Sequence, residues 1–323
     1  MKSLTGLTAG VMLTNSLDSA QQAVQLSDKL GKLLPTRRLG ETGETVTMLG
    51  VGGWHIGRMG ENEAQKTIEV AIEGGVRFFD SAESYQDGGS ESRLGKLLIP
   101  KYRDQIFIMT KSAARDAKTA QQHLDASRKR LKTDQLDLWQ VHNITSAQDV
   151  DQCIQNGVFD VMQEAKAAGK TRYIGFTGHT QPSAHLRLLD QSSIFDVCQM
   201  PVNVADLSYK SFVGEILPKL VDRGIGVLAM KTLANGGFFG GSEHGEHGNR
   251  PKVVPNRISI AEAINFVWSF PISTLISGPD DATQMQEKID LAELFSGMDE
   301  STRQTLVERV ADIAGQNVEF YKA

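Results

Sequence analysis

Short runs of apolar and β-branched residues recur roughly every 25 to 35 residues along this chain, separated by stretches of helical period or by turns. The runs are Met48 to Gly52, Val76 to Asp80, Ile106 to Thr110, Leu136 to His142, Arg172 to Thr177, Asp196 to Met200, Gly226 to Met230 and Ser273 to Ser277. Each reads as a buried strand. Between the first two, Ala64, Ile68, Ala71 and Ile72 form one apolar stripe that Gly74-Gly75 stops. A later helix is expected to start on Thr119 as N-cap, with Gln122 as its box partner, and to run through Ala120, Leu124 and Leu131. Ahead of the first strand, Gly40 and Gly43 punctuate a hairpin within Arg37 to Thr47. Eight strand–helix units of this length predict an α/β fold, a (β/α)8 TIM barrel whose bottom the N-terminal hairpin closes. An open doubly wound sheet would announce a nucleotide with GxGxxG after its first strand, and that motif is missing. The 323 residues suit one such barrel, which occupies about 250 residues before insertions. The expected organisation is an extension over 1–35 and a single barrel domain over 36–323, interrupted by a long loop at 235–257 rich in Gly, His, Asn and Pro. Loops of that length are usually functional or mobile, which makes this one a candidate lid.

A barrel carries its chemistry at the C-terminal ends of its strands. Asp80 ends the second strand within FFDSAESY, and Tyr85 follows in the loop. Lys111 ends the third strand in MTKS, and His142 ends the fourth in QVHN. Taken singly, each has a dull explanation: a helix cap, a half-buried aromatic, a solvated lysine, a core histidine. Three consecutive strand ends that all carry polar groups onto one rim are harder to explain that way.

Composition narrows the classes. Hydrophobic residues make up 40% and charged residues 23%, as in an ordinary globular chain. A net charge of -5 lacks the basic excess that nucleic acid requires, so no nucleic-acid partner is expected. Cys153 and Cys198 form neither a disulfide framework nor a zinc spacing. No apolar run reaches the roughly 20 residues of a membrane helix, so no membrane partner is expected. Met1 to Leu13 places Lys2 before a weakly apolar, small-residue stretch, with Asp18-Ser19-Ala20 beyond it. That order resembles the tail of a secretory or twin-arginine signal, although no arginine pair precedes it. Export to the periplasm and a cytoplasmic location both stay open.

Further stretches carry a resemblance: LGVGGWHIG at Leu49 to Gly57, FFDSAESY, GGSESRLGKLL at Gly88 to Leu98, LDASRKRLKTDQLDLWQVHN ending at Asn143, and GKTRYIGFTGHT at Gly169 to Thr180. Together they resemble the aldo-keto reductase superfamily from about Thr36 onward. The resemblance implies NAD(P)H-dependent reduction of an aldehyde or ketone, or the reverse alcohol oxidation, with a catalytic set of Asp80, Tyr85, Lys111 and His142. Hydride arriving at a carbonyl carbon leaves charge on the oxygen, which needs a proton donor and a stabilising dipole or cation. Tyr85 would be the donor. A phenol has an ordinary pKa of about 10, and Lys111 is expected to bring it down. Asp80 would hold Lys111, and His142 would orient the carbonyl.

The resemblance also implies cofactor contacts at Gly53, Trp54, Thr177, Gln199, Met230, Lys231, Gly278, Gln284 and Lys288. Gly178 stands where an asparagine is usual, and Met230 stands where an aromatic ring often stacks on the nicotinamide. ISGPDDATQMQEK resembles an adenosine-phosphate site built on a helix N-terminus. NADPH is the implied cofactor. NADH is also possible, because Gly278 and Gln284 occupy the places of a lysine and an arginine that usually meet the 2'-phosphate. Trp54, His55, Phe238 and the C-terminal tail are expected to line a pocket for a small carbonyl substrate. A monomer is the implied state. If the chain is exported, it would have to fold around a retained dinucleotide, because none is free outside the cytoplasm.

Two rivals are worth stating. His55, His142 and His179 follow strand ends near Asp80 and Glu83, a set a zinc hydrolase could use. No HxH pair occurs on the first strand, however, and no metal is expected. A cofactor-binding regulatory subunit with an idle site is the other rival. His244 and His247, in the long loop, read as solvated residues.

Overall fold

A computed structural model describes residues 27–239 and 257–323, and within them two antiparallel hairpins lead into a closed ring of parallel strands. The first hairpin pairs β1 (Ser27–Asp28) with β2 (Gly31–Lys32), and the second pairs β3 (Thr36–Arg38) with β4 (Thr45–Thr47). The barrel strands are β5 (Leu49–Gly52), β6 (Phe78–Asp80), β7 (Phe107–Ser112), β8 (Leu136–Val141), β9 (Thr171–Thr177), β10 (Val197–Pro201), β11 (Gly226–Met230) and β12 (Thr274–Ser277). Each pairs in parallel with the next, and β12 closes on β5. The eight expected runs are these eight strands, shifted by a residue or two at their ends.

The period of two along each strand sorts side chains between two cores. Phe78, Phe107, Met109, Leu138, Val197, Leu228 and Ile276 point into the barrel and form its apolar floor together with Leu39 and Val46 of the second hairpin. That hairpin therefore plugs the bottom. Outward-facing residues such as Phe79, Ile108, Trp139 and Phe176 fill the larger layer between strands and helices. Two residues above Phe78, Met109, Leu138, Val197, Leu228 and Ile276, on the same face, stand Asp80, Lys111, Gln140, Gln199, Met230 and Gly278. Four of these six are polar, so the mouth carries the polar groups that the floor lacks.

Three expectations need correction. The fold begins before residue 36, since β1 and β2 are part of it and Leu34 is buried in the core. The fastener is Arg77, whose guanidinium donates to Asp28 through Nε at 2.7 Å and Nη2 at 3.0 Å, and to the Lys32 carbonyl at 3.1 Å. The helix Ala117–Leu131 is capped by Asp116, not Thr119: the Asp116 carboxylate accepts from the Thr119 backbone N–H and also from its hydroxyl. Phe238 is fully buried in the outer core and is not among the residues that line the mouth cavity. It lies in the 3-10 segment Ala234–Phe239, where Asn235 and Gly236 have positive φ and turn the chain inward.

The signal-like start and residues 240–256 of the long loop, with His244 and His247, lie outside the described residues. Among the described residues no helix is long and apolar enough to cross a membrane. Cys153 and Cys198 are both buried free thiols.

The C-terminal segment is pinned by buried charge. Lys322 Nζ lies 2.6 Å from Asp206 Oδ1 and 2.9 Å from Glu319 Oε1, with all three side chains fully enclosed. Asn203 Nδ2 donates to Glu319 Oε1 and to Tyr321 Oη, each at 2.8 Å. His179 Nδ1 is 2.9 Å from the Tyr321 carbonyl. This ties the tail to the loops after β9 and β10, beside the barrel mouth.

Candidate active site

Lys111 stands two residues beyond Met109 and four beyond Phe107 on the inward face of β7, so the strand's own alternation drives its ammonium into the barrel mouth. It is 1% exposed. An ammonium has three protons and no acceptor, and all three are placed. Nζ donates to Asp80 Oδ1 at 2.5 Å, to the Ser81 carbonyl at 2.7 Å and to Tyr85 Oη at 3.1 Å. Because the phenol oxygen accepts from Lys111, its own O–H is left to donate elsewhere, and Tyr85 lines the cavity at the mouth.

Tyr85 is held on a tight loop in which Gln86, Asp87 and Gly88 all have positive φ. Its ring packs edge-on against Trp54, with centroids 5.3 Å apart, and against His142 at 5.8 Å, with the Lys111 ammonium 4.7 Å from its centre. His142 follows β8, and its Nδ1 lies 3.4 Å from Ser84 Oγ. The four residues that three strand ends were expected to bring together are thus in one cluster.

The electrostatics differ from expectation at one point. Burial pushes the Tyr85 phenol above its ordinary value, outweighing the pull of Lys111 in the other direction. The expected downward shift is therefore not found, because the ring is enclosed and Asp80 already neutralises the ammonium. Burial alone would push Lys111 down, but Asp80 and Tyr85 carry it above its ordinary range, so it is charged at neutral pH. Burial raises the Asp80 carboxyl against the opposing effect of Lys111. Burial, reinforced by Lys111, holds the His142 imidazole well below its usual range. It is neutral at pH 7.

A cavity of about 380 Å3 opens beside Tyr85 and Asp80. Of the residues expected at a cofactor or substrate, Trp54, His55, Gln199, Met230, Lys231, Gly278, Gln284 and Lys288 line it. Gly53 does not: a Cβ there would sit 2.1 Å from the Asp80 carbonyl, so it is a point of backbone packing, and Gly52 forms the wall instead. Thr177 and His142 do not line this cavity either; Thr177 is 2% exposed at the end of β9. Gly178 leaves no room for the asparagine usual there, since a Cβ would lie 2.4 Å from the Ile144 carbonyl and 2.7 Å from His185 Cε1.

Several contributors were not anticipated. Gln140 Nε2 donates to Gln199 Oε1 at 3.0 Å and so turns the Gln199 amide. The Ser81 carbonyl is Lys111's third partner. Glu63, far away in sequence, accepts from the Ala282 backbone N–H at 2.9 Å. Only the Gln140 position, two residues before His142, had a sequence signal. Among the described residues no group of three or more His, Cys, Asp and Glu side chains is arranged to hold a metal ion.

The chain matches the aldo/keto reductase family over residues 48–313 and belongs to it. It is 30% identical over 220 residues to L-galactose dehydrogenase of Arabidopsis thaliana, covering 62% of this chain and 66% of that protein. It is 29% identical over 219 residues to aldo-keto reductase YhdN of Bacillus subtilis, covering 61% and 62%. The match thus spans no more than about two thirds of these relatives' length. The holo form of aldo-keto reductase AKR11C1 from Bacillus halodurans superposes with a TM-score of 0.72 over 85% of this chain and 96% of that one. At 20% identity this likeness shows the fold alone.

Proposed function

We propose that the protein reduces aldehydes or ketones, or runs the reverse alcohol oxidation, with a nicotinamide dinucleotide held in the mouth cavity and Tyr85 as proton donor. The observation that carries this reading is the saturated Lys111 ammonium, whose bond to Tyr85 Oη leaves the phenol proton directed away from the lysine.

The cavity suits a dinucleotide. Gly52 and Gly278 keep its wall at backbone level, Gln199 offers a turned amide for a carboxamide, and Met230 offers a polarizable face for a flat ring. Thr177, the register partner of Gln199 on β9, backs that residue from outside the cavity. Lys231, which burial pushes down to about 8, supplies an ammonium within reach of a phosphate. When bound, the reduced nicotinamide supplies a hydride.

The protein's own part is electrostatic and protonic. As charge builds on the substrate oxygen, Tyr85 Oη–H transfers its proton there. The phenolate that remains is stabilised by the 3.1 Å bond from Lys111, whose charge Asp80 holds in place. A phenol kept protonated by burial until that moment is an acid that acts only when the substrate oxygen demands it. His142, neutral, can hydrogen-bond the same oxygen without competing for charge. Trp54, packed edge-on against the Tyr85 ring, forms the wall nearest this point, which suits a small carbonyl, whereas His55 stands further along the cavity beside Gly278 and Asp280. Two similar proteins, L-galactose dehydrogenase and 6-dehydroglucose reductase, are named for sugars, which supports a polyhydroxylated carbonyl as substrate.

Fluorescence titration with NADH and NADPH, followed by oxidation of the bound dinucleotide on a panel of aldehydes, ketones and sugars, tests the reading. Turnover on members of the panel is expected. Tight binding with no oxidation by any of them would favour a binding subunit instead.

A further inference from the structure

Building on that reading, we propose that the chain discriminates against a 2'-phosphate and takes NADH in preference to NADPH. The adenosine end of the cavity is the turn after β12 and the first turn of the helix Ala282–Leu294. A ribose 2'-phosphate is a dianion and needs cations or free backbone N–H groups; a ribose diol needs acceptors.

Two of the backbone donors of this turn are already taken by acids. Glu63 Oε1 accepts from Ala282 N at 2.9 Å, and the Asp281 carboxylate caps Gln284 N at 2.8 Å. The Gln284 side chain is turned back, accepting from Asp280 N at 3.0 Å. A helix N-terminus that would attract a phosphate is instead neutralised by the protein's own carboxylates.

Lys288, Arg58 and Lys231 all act on His55 at this end, but none stands where position 278 or 284 would present a cation. A side chain at position 278 is foreclosed, since a Cβ on Gly278 would fall 1.8 Å from His55 Nδ1. The imidazole therefore occupies the space a longer residue would use. That ring carries no charge at neutral pH, because burial pushes it down to about 4. Lys288 lines the cavity, but it is 5% exposed and Nζ donates to the Gln284 carbonyl of its own helix at 3.2 Å. Asp280 and Glu287 line the same end and face it with two negative charges. Arg58 is exposed and does not line the cavity. A 2'-phosphate would enter beside the carboxylates of Asp280 and Glu287, whereas a 2'-hydroxyl would find them as acceptors.

The test uses the full chain freed of bound nucleotide and titrated with NADH and with NADPH, read by energy transfer from protein tryptophan to the nicotinamide. NADH is expected to bind at least tenfold more tightly. In competition, AMP should displace NADH at lower concentration than adenosine 2',5'-bisphosphate. Gln284→Arg, and separately Glu287→Lys at an exposed position, should each narrow the NADH-to-NADPH affinity ratio at least fivefold. NADPH binding as tight as NADH or tighter would overturn the proposal, as would ratios that stay at the wild-type value in both variants. Failure of both dinucleotides to bind would instead overturn the functional reading beneath it, so the two failures are distinguishable.

Discussion

Replacing Lys111 by methionine isolates what the buried ion pair does. The substitution keeps the length of the side chain but leaves the Asp80 carboxylate, 3% exposed, without the cation 2.5 Å away. Removing one partner of such a pair costs about 3–5 kcal/mol, because the surviving charge stays buried and uncompensated. At roughly 2–3 °C per kcal/mol for a domain of this size, the melting temperature at pH 7 should fall by roughly 6–15 °C. Lys111→Met combined with Asp80→Asn removes the orphaned charge and should recover at least about half of that loss. The pH dependence has a definite sign. Burial raises the Asp80 carboxyl, and without Lys111 nothing opposes that rise. The variant's deficit is therefore absent while the carboxyl is protonated in both folded and unfolded chains, and it grows as pH rises through the folded value. Thermal melts by circular dichroism between pH 4.5 and 7.5, on wild type, the single and the double variant, read all three effects. A Lys111→Met variant that melts with wild type at pH 7, with a double variant no more stable than the single, would refute the reasoning.

Two further outcomes concern buried polar groups away from the proposed chemistry. His185 is fully buried against Phe176 and Phe212 with no hydrogen-bond partner on either ring nitrogen, and burial pushes it down to about 3. The unfolded chain protonates this histidine first, so stability present above about pH 6.5 is lost as pH falls. By pH 5 the loss is about 2 kcal/mol, and urea unfolding of His185→Leu should show a smaller drop between pH 7 and 5 by about that amount. Equal losses in the two proteins would contradict it. Lys322→Met leaves Asp206 and Glu319 buried without their cation and should cost about 3–5 kcal/mol, with the C-terminal segment cut earlier in limited proteolysis. Unchanged urea midpoint and cleavage would show that the cluster does not hold the tail.

The barrel was legible because a strand enclosed on both faces is a largely apolar run, and the chain contains eight of them, regularly spaced until the long loop delays the last. The chemistry was legible for a related reason: parallel strands all end on one rim, so Asp80, Lys111 and His142 at consecutive ends had to meet. The first hairpin was not. Ser27 to Lys32 is polar and turn-like, and it is held by partners far away in sequence, the guanidinium of Arg77, 49 residues from Asp28, and Glu293 on Lys32. The helix cap was misplaced by three residues because Asp116 and Thr119 bond to each other, and nothing local decides which is the cap. The direction of the Tyr85 shift depends on how deeply the ring is enclosed against how completely Asp80 neutralises Lys111, and a linear sequence carries neither quantity. Phe238 shows the same limit, since a phenylalanine in a glycine-rich loop turns inward only because Asn235 and Gly236 take positive φ. His55 against Gly278 is a contact between loops 223 residues apart (278 − 55), visible only once β5 closes on β12.

The central claim is that Tyr85 gives the proton. Single-turnover oxidation of bound reduced dinucleotide by a competent carbonyl substrate, compared between wild type and Tyr85→Phe, tests it most directly. The aromatic packing against Trp54 and His142 survives this change and only the hydroxyl is lost, so dinucleotide affinity should hold while the rate falls roughly 100- to 10,000-fold. Turnover at the wild-type rate in Tyr85→Phe would contradict the account.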